Sequence, residues 1–279
     1  MRWIAAPTAL AIALLTPVVF AFPLQDVVAR SKSSVAHLSI RDSSNEERSS
    51  GSGFVISADG KLATNFHVID DADRIVAVFS NGTEVEVTGV RLFDPETDVA
   101  VLQLAAGTYP PLHLSGAPAK QGDEIAVIGS PLGLGEAVST GIVAAFREHG
   151  TAKPGRSEGK ESWGLQITAP IAPGSSGSPI LNDRAEVVGL VVGGVYAEPV
   201  HFGIAVARLK QLLETGPGEL KPLSEARAGL SVRTNMLISA AFLGTLIVGG
   251  WGIAFVVRRR NRRREPIASS NDRDDDDSN

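Results

Sequence analysis

The sequence has no cysteine in its 279 residues. That excludes a disulfide framework, thiolate zinc or iron–sulfur sites, and a thiol nucleophile. Aromatic residues are scarce, at 5%. Against these shortages stand 29 glycines, 43% hydrophobic residues and 20% charged residues. A packed core is within reach and global disorder is excluded. Many glycines with few aromatics suit a turn-rich β protein better than a helical bundle. Positive charge is also short over most of the chain. Residues 22–235 hold 18 Lys+Arg against 25 Asp+Glu, which argues against nucleic acid as a partner.

The two ends differ from the middle. Residues 1–21 start with Arg2, run apolar from Trp3 to Phe20 and end in Val19-Phe20-Ala21. This is the pattern of a secretory signal peptide, with an uncleaved anchor helix as the alternative. Met236–Val257 contains no charged residue, and six arginines follow within Arg258–Arg264. As a helix those residues reach across a bilayer core of about 30 Å. The arginines read as a stop-transfer signal on the cytoplasmic side. The expected organisation is a signal peptide (1–21), a folded domain (22–216), a linker rich in Pro, Gly, Ser and Glu (217–234), a membrane helix (235–257) and a cytoplasmic tail (258–279). The folded domain then lies in the periplasm or outside the cell.

Short apolar runs bounded by turn residues predict about eleven strands, from Val35–Ile40 to Phe202–Val206. Helices are expected at Leu24–Ser31 and Val206–Glu214, the second stopped by Gly216-Pro217. Strands in this number without long helices between them predict an all-β fold of antiparallel barrels.

Three segments carry chemistry. In Ala63-Thr64-Asn65-Phe66-His67-Val68-Ile69 an apolar strand leads to a histidine. In Asp94–Leu102 an aspartate, Asp98, stands before a strongly apolar strand. Ala172–Ile180 sets Ser175 and Ser176 in a tight turn between Gly174 and Gly177. Acyl transfer needs these types together. A serine hydroxyl becomes a nucleophile when a base takes its proton, and a neutral imidazole suits that work. A carboxylate on the far imidazole nitrogen fixes the tautomer. Glycines beside the serine let backbone N–H groups meet a developing oxyanion. The order His, Asp, Ser is that of the chymotrypsin arrangement.

With these residues in view, the chain resembles the trypsin-like serine proteases, specifically the bacterial HtrA/Deg type, from about Asp26 to Leu213. Gly51-Ser52-Gly53-Phe54 with Thr64-Asn65-Phe66-His67-Val68 is similar to that family's histidine segment. Asp94–Leu104 is similar to its aspartate segment, Gly129-Ser130-Pro131-Leu132-Gly133 to its Gly-x-Pro-x-Gly loop, and Pro173–Ile180 to its nucleophile loop. The resemblance implies two six-stranded chymotrypsin-like barrels with a short C-terminal helix. It implies His67 as base, Asp98 as its orienting carboxylate and Ser176 as nucleophile. It implies an oxyanion hole from the N–H groups of Gly174 and Ser176. It further implies a substrate pocket at Pro170, Ile171, Val191, Val192 and Gly203, with no metal and no cofactor. Protein or peptide substrates and a trimeric homo-oligomer follow from the same likeness.

The sequence departs from the family in three ways. Ser175 and Ser178 replace an asparagine and a glycine of the nucleophile loop. If position 178 has a positive φ, the serine costs roughly 1 kcal/mol there. No PDZ domain is expected after Glu214, and the membrane helix is expected at the C-terminal end. Ser175 is the rival nucleophile, but the Gly-x-Ser-Gly register favours Ser176. His201, ahead of the last strand, is a candidate for the pocket wall. Two functions fit: a membrane-tethered serine endopeptidase, or a catalytically silent binding or scaffold protein on the same fold.

Overall fold

The computed structural model of the chain describes residues 22–42, 44–130, 137–147, 164–195 and 200–225. The signal peptide, the membrane helix, the tail and the segment Pro131–Gly133 lie outside these residues. Among the described residues no helix is long and apolar enough to cross a membrane.

Helix α1 (Leu24–Ser31) comes first, followed by the strands β1 (Val35–Arg41), β2 (Glu47–Val55) and β3 (Lys61–Thr64). A one-turn helix α2 (Phe66–Ile69) precedes β4 (Arg74–Phe79), β5 (Glu84–Asp94) and β6 (Val99–Leu104). These six strands close an antiparallel barrel in the order β1-β2-β3-β6-β5-β4. The second half holds β7 (His113–Leu114), β8 (Glu124–Gly129), β9 (Ala137–Arg147), β10 (Gly164–Ile167), β11 (Pro179–Leu181), β12 (Glu186–Val195) and β13 (Val200–Ala205). Six of them run β11-β8-β9-β10-β13-β12, and pairing of β11 with β12 closes a second barrel. The short β7 adds to β12 in parallel. Helix α3 (Val206–Glu214) ends the pair of barrels. The all-β, two-barrel expectation holds. β7 and α2 lie beyond the strands and helices that the sequence pattern delineates, and β3 is the apolar strand expected ahead of His67.

Burial explains the strength of the pattern at β6. Every residue of Val99–Leu104 is buried. Val99 and Val101 join a core cluster shared between the barrels, with Phe54 and Ala63 from the first and Ile128, Leu181, Leu190 and Ile204 from the second. Ala100 and Leu102, pointing the other way along the strand, are also wholly buried. A strand covered on both faces reads as a continuous apolar run. A second cluster, including Ile125, Val143, Leu165, Ile180 and Val191, comes entirely from the second half of the chain.

The first residues of the expected linker belong to this folded body. Beyond α3 the chain runs back along β5 as a strap. Val90 and Lys221 exchange both backbone hydrogen bonds at 2.9 Å, and Arg91 Nη1 donates to Gly218 O at 3.1 Å. Leu223 is buried. Gly89 makes room for the strap, since a Cβ there would lie 2.3 Å from Lys221 O. Gly89→Ala is therefore expected to lift the strap at a cost of about 1–3 kcal/mol. A lowered denaturation midpoint, with new proteolytic cleavage after Lys221, checks this.

Candidate active site

The expected strand does not run to the histidine. β3 stops at Thr64, and His67 sits on the single turn of α2. Asn65, in the cap position of that turn, makes no cap bond with its side chain. Its carboxamide donates instead to Asp98 O at 3.0 Å, and the Phe66 N–H donates to the same oxygen at 3.2 Å. Phe66 stacks on Phe93 with ring centroids 5.4 Å apart. The turn carrying His67 is thus pinned to the loop carrying Asp98.

Asp94 builds that loop by accepting from Glu96 N at 2.9 Å and Thr97 Oγ1 at 2.7 Å. Asp98 then adopts a left-handed backbone, φ +56°, a conformation that aspartate tolerates better than most residues. Its carboxylate grips His67 twice. Oδ1 accepts from the His67 backbone N–H at 2.9 Å, and Oδ2 lies 2.7 Å from Nδ1. The carboxylate is mostly buried at 14% exposure, whereas the imidazole is 45% exposed. Burial works against charging the imidazole. The Asp98 hydrogen bond and the charges of Asp98 and Asp70 outweigh it, and the His67 pKa lies above its ordinary 6.5.

The serine turn lies against the first barrel. Gly51 on β2 sits between Val68, next to His67, and the carbonyl of Ser176. Ser176 is half-buried, and its hydroxyl donates to Val192 O at 2.8 Å. Among the described residues no hydrogen bond joins Ser176 Oγ to His67. Ser175 is buried at 6% exposure, and its hydroxyl accepts from Ala172 N at 3.3 Å. It faces into its own turn. The positive φ values of the turn fall on Gly174, at +90°, and Gly177, at +86°. Ser178 is not among the positive-φ residues, so the strain anticipated there is absent. Its side chain is wholly buried against Gly129, where a Cβ would lie 2.1 Å from Ser178 Oγ. Among the described residues no acceptor takes the N–H of Gly174 or of Ser176.

The residues expected to form a substrate pocket occupy different environments. Pro170 is exposed, while Ile171 and Val192 are half-buried. Val191 is wholly buried in the second cluster, and Ile171 packs on the same cluster. Gly203 is buried, its α-carbon against Ile180 and Leu190. His201 lies two residues ahead of it on β13, paired with Gly194 and Ile167. His201 Nδ1 is buried without a hydrogen-bond partner among the described residues.

Ser52, Thr64, Asn65 and Val192 enter the site through hydrogen bonds that sequence reasoning did not assign. Ser52 donates its N–H to Ser176 O at 2.7 Å and its hydroxyl to Gly174 O at 2.8 Å. Thr64 Oγ1 donates to Ser52 O at 2.7 Å. The sequence signal for Ser52, Thr64 and Asn65 was their place in the segment similar to the family's histidine segment, and for Val192 its place in the expected substrate pocket.

Comparison with known proteins gives the family and the fold. The family model described as trypsin-like peptidase domain matches residues 51–190. A DegP-like protein of Pseudomonas fulva, named a probable periplasmic serine endoprotease, is 40% identical over 148 residues, covering 52% of this chain and 29% of the relative. A protein of the same description from Halomonas elongata is 39% identical over 150 residues, covering 53% and 30%. The chain thus spans less than a third of the length of these relatives. The crystal structure of the serine endoprotease from Yersinia pestis superposes with a TM-score of 0.60 at 28% identity, covering 71% of this chain and 67% of that one.

The His67 environment sets an expectation for pH. A folded-state pKa above the unfolded value means that the protonated imidazole favours the fold. That contribution is fully present below the unfolded pKa of about 6.5 and is lost as pH rises through the folded pKa. An NMR titration of the His67 ring is expected to give a midpoint above 6.5. Asp70→Asn, which removes one of the raising charges, is expected to lower that midpoint. An unchanged midpoint in the variant would show that Asp70 does not act on the ring.

Proposed function

Because the chain belongs to the trypsin-like peptidase family, we propose that it is a serine endopeptidase of the DegP/HtrA type, acting through Ser176, His67 and Asp98. The observation that carries this reading is the doubly bonded His67–Asp98 pair beside the Ser176 turn. Ser176 Oγ leaves Val192 O, turns to the free nitrogen of His67 and attacks the scissile carbonyl. His67 takes the hydroxyl proton while its Nδ1–H stays on Asp98 Oδ2. The N–H groups of Gly174 and Ser176, unengaged among the described residues, receive the oxyanion, each worth about 3–4 kcal/mol in the transition state. His67 passes its proton to the departing amine, and water then repeats the sequence on the acyl-enzyme.

The substrates proposed are exported or misfolded proteins, since the relatives matched are named periplasmic endoproteases. The uncharged Met236–Val257 stretch and the arginines after it support a single-pass tether, with residues 22–216 on the periplasmic or outer side. No acidic side chain stands among Pro170, Ile171, Val191, Val192 and Gly203. A lysine or arginine entering there buries an unpaired charge, at several kcal/mol. A branched aliphatic side chain gains about 1.5–3 kcal/mol. Cleavage is therefore proposed after Val, Ala, Ile or Leu. His201 Nδ1, unpartnered among the described residues, favours one competing outcome, cleavage after Glu. A peptide-library scan separates the two, and a dominant basic preference would remove the pocket from Pro170–Gly203.

Covalent labelling with a fluorophosphonate decides between an enzyme and a silent scaffold on this fold. The wild-type chain is expected to label at Ser176. Ser176→Ala is expected to lose labelling, and proteolysis by three decades or more, with the fold intact. Folded wild-type protein that takes no label would establish the scaffold instead.

A further inference from the structure

We infer that Ser52, a residue of the first barrel, is a positioning residue that builds the oxyanion hole from a distance. The inference rests on the protease reading of Ser176 and its turn. Ser52 is wholly buried on β2. Its two donors go to two carbonyls of the turn, the N–H to Ser176 O at 2.7 Å and the hydroxyl to Gly174 O at 2.8 Å. The hydroxyl oxygen also accepts from Ser130 N at 3.2 Å, and that second bond orients its proton. Ser52 O is itself held by Thr64 Oγ1 at 2.7 Å.

The pattern along the turn gives these bonds their meaning. The peptide between residues 174 and 175 is pinned at both ends, its carbonyl by Ser52 Oγ and its N–H by Ala172 O at 3.0 Å. The peptide between residues 176 and 177 is pinned likewise, its carbonyl by Ser52 N–H and its N–H by Val191 O at 2.8 Å. The two N–H groups left without an acceptor among the described residues, on Gly174 and Ser176, are the ones that the proposed chemistry requires. Planar peptides fixed in this alternation leave little torsional freedom between them. Gly174 is the weak point, because a glycine at φ +90° has other basins open to it. The Ser52 hydroxyl holds its carbonyl, and with the next peptide plane fixed the Gly174 N–H keeps its direction. Without that bond the 174–175 peptide keeps only its N–H bond to Ala172 O, and the Gly174 donor is held less firmly on its aim.

The test uses the full chain and a fluorophosphonate, whose phosphoryl oxygen needs the same donors. Ser52→Ala is expected to lower the maximal labelling rate about tenfold to a hundredfold, less than the full loss of one donor. The probe's half-saturating concentration and the pH midpoint of labelling are expected to stay unchanged, since His67 and the pocket are untouched. Ser52→Cys, with a weak donor of similar size, is expected to fall between Ala and wild type. Gly89→Ala disturbs the strap on β5, away from the serine turn. It is expected to lower the melting temperature while keeping the labelling rate. If Ser52→Ala labels at the wild-type rate, or if Gly89→Ala slows labelling equally, Ser52 serves stability alone and the inference falls, while the loss in Ser176→Ala still stands. If the wild-type chain takes no label, the protease reading falls and this inference with it.

Discussion

The two hydrogen bonds from Ser52 to Ser176 O and Gly174 O join a strand of the first barrel to a turn of the second. Neither barrel alone holds the serine turn against the histidine turn. The contact demands close backbone approach, and the glycines supply it. A Cβ on Gly177 would lie 2.1 Å from Ser52 O, and its φ of +86° is one that a side chain rarely accepts. A Cβ on Gly51 would strike Val68 at 2.6 Å. At Gly51 and Gly177 side chains are excluded, and the two backbones come close enough for the Ser52 N–H and hydroxyl to reach the turn.

That joint is only as good as the interface around it. The shared cluster draws on β1, β2, β3 and β6 of one barrel, on β8, β11, β12 and β13 of the other, and on α1 and α3. β6 is buried along its whole length, so its start is among the least mobile points in the fold. Asp98 stands immediately before it. The strained φ of Asp98 is tolerable there because Asn65 and Phe66 hold its carbonyl while its carboxylate holds His67. The rigid strand fixes the carboxylate, and the carboxylate fixes the ring.

Much of this was legible in the sequence, and the gaps have physical causes. β6 announced itself because burial on both faces leaves no polar residue to break the run except Gln103. His67, Asp98 and Ser176 could be singled out because acyl transfer demands those types, and glycines flank the serine. The start of β2 at Glu47 was hidden. Glu47-Arg48-Ser49-Ser50 is polar and largely exposed, and it pairs with β1 through its backbone. α2 was hidden because Phe66–Ile69 is too short for a helical period to show, and it continues the apolar character of β3. The strap over β5 has the composition of a linker, since its order comes mainly from backbone bonds to Val90 and Arg91. Ser52 was least legible of all. A serine between two glycines looks like a turn residue, and only the tertiary contact reveals its partners.

The resting position of the Ser176 hydroxyl bears on the proposed mechanism in one further way. It donates to Val192 O, a neutral acceptor, while His67 waits with a pKa above 6.5. Moving the hydroxyl to a neutral imidazole exchanges one ordinary hydrogen bond for another, each worth about 1 kcal/mol net. The rotation about χ1 runs between staggered wells and is fast beside chemistry. On the proposed mechanism, leaving Val192 O for the imidazole therefore costs the hydroxyl little. Protonation changes that balance. A charged imidazole offers no lone pair to the hydroxyl, so the carbonyl keeps it. The same event that removes the base also removes the acceptor that would draw Ser176 into line. On this mechanism the acid-side loss of activity follows a single group, and Asp98, by stabilising the charged ring, sets how high in pH that loss begins.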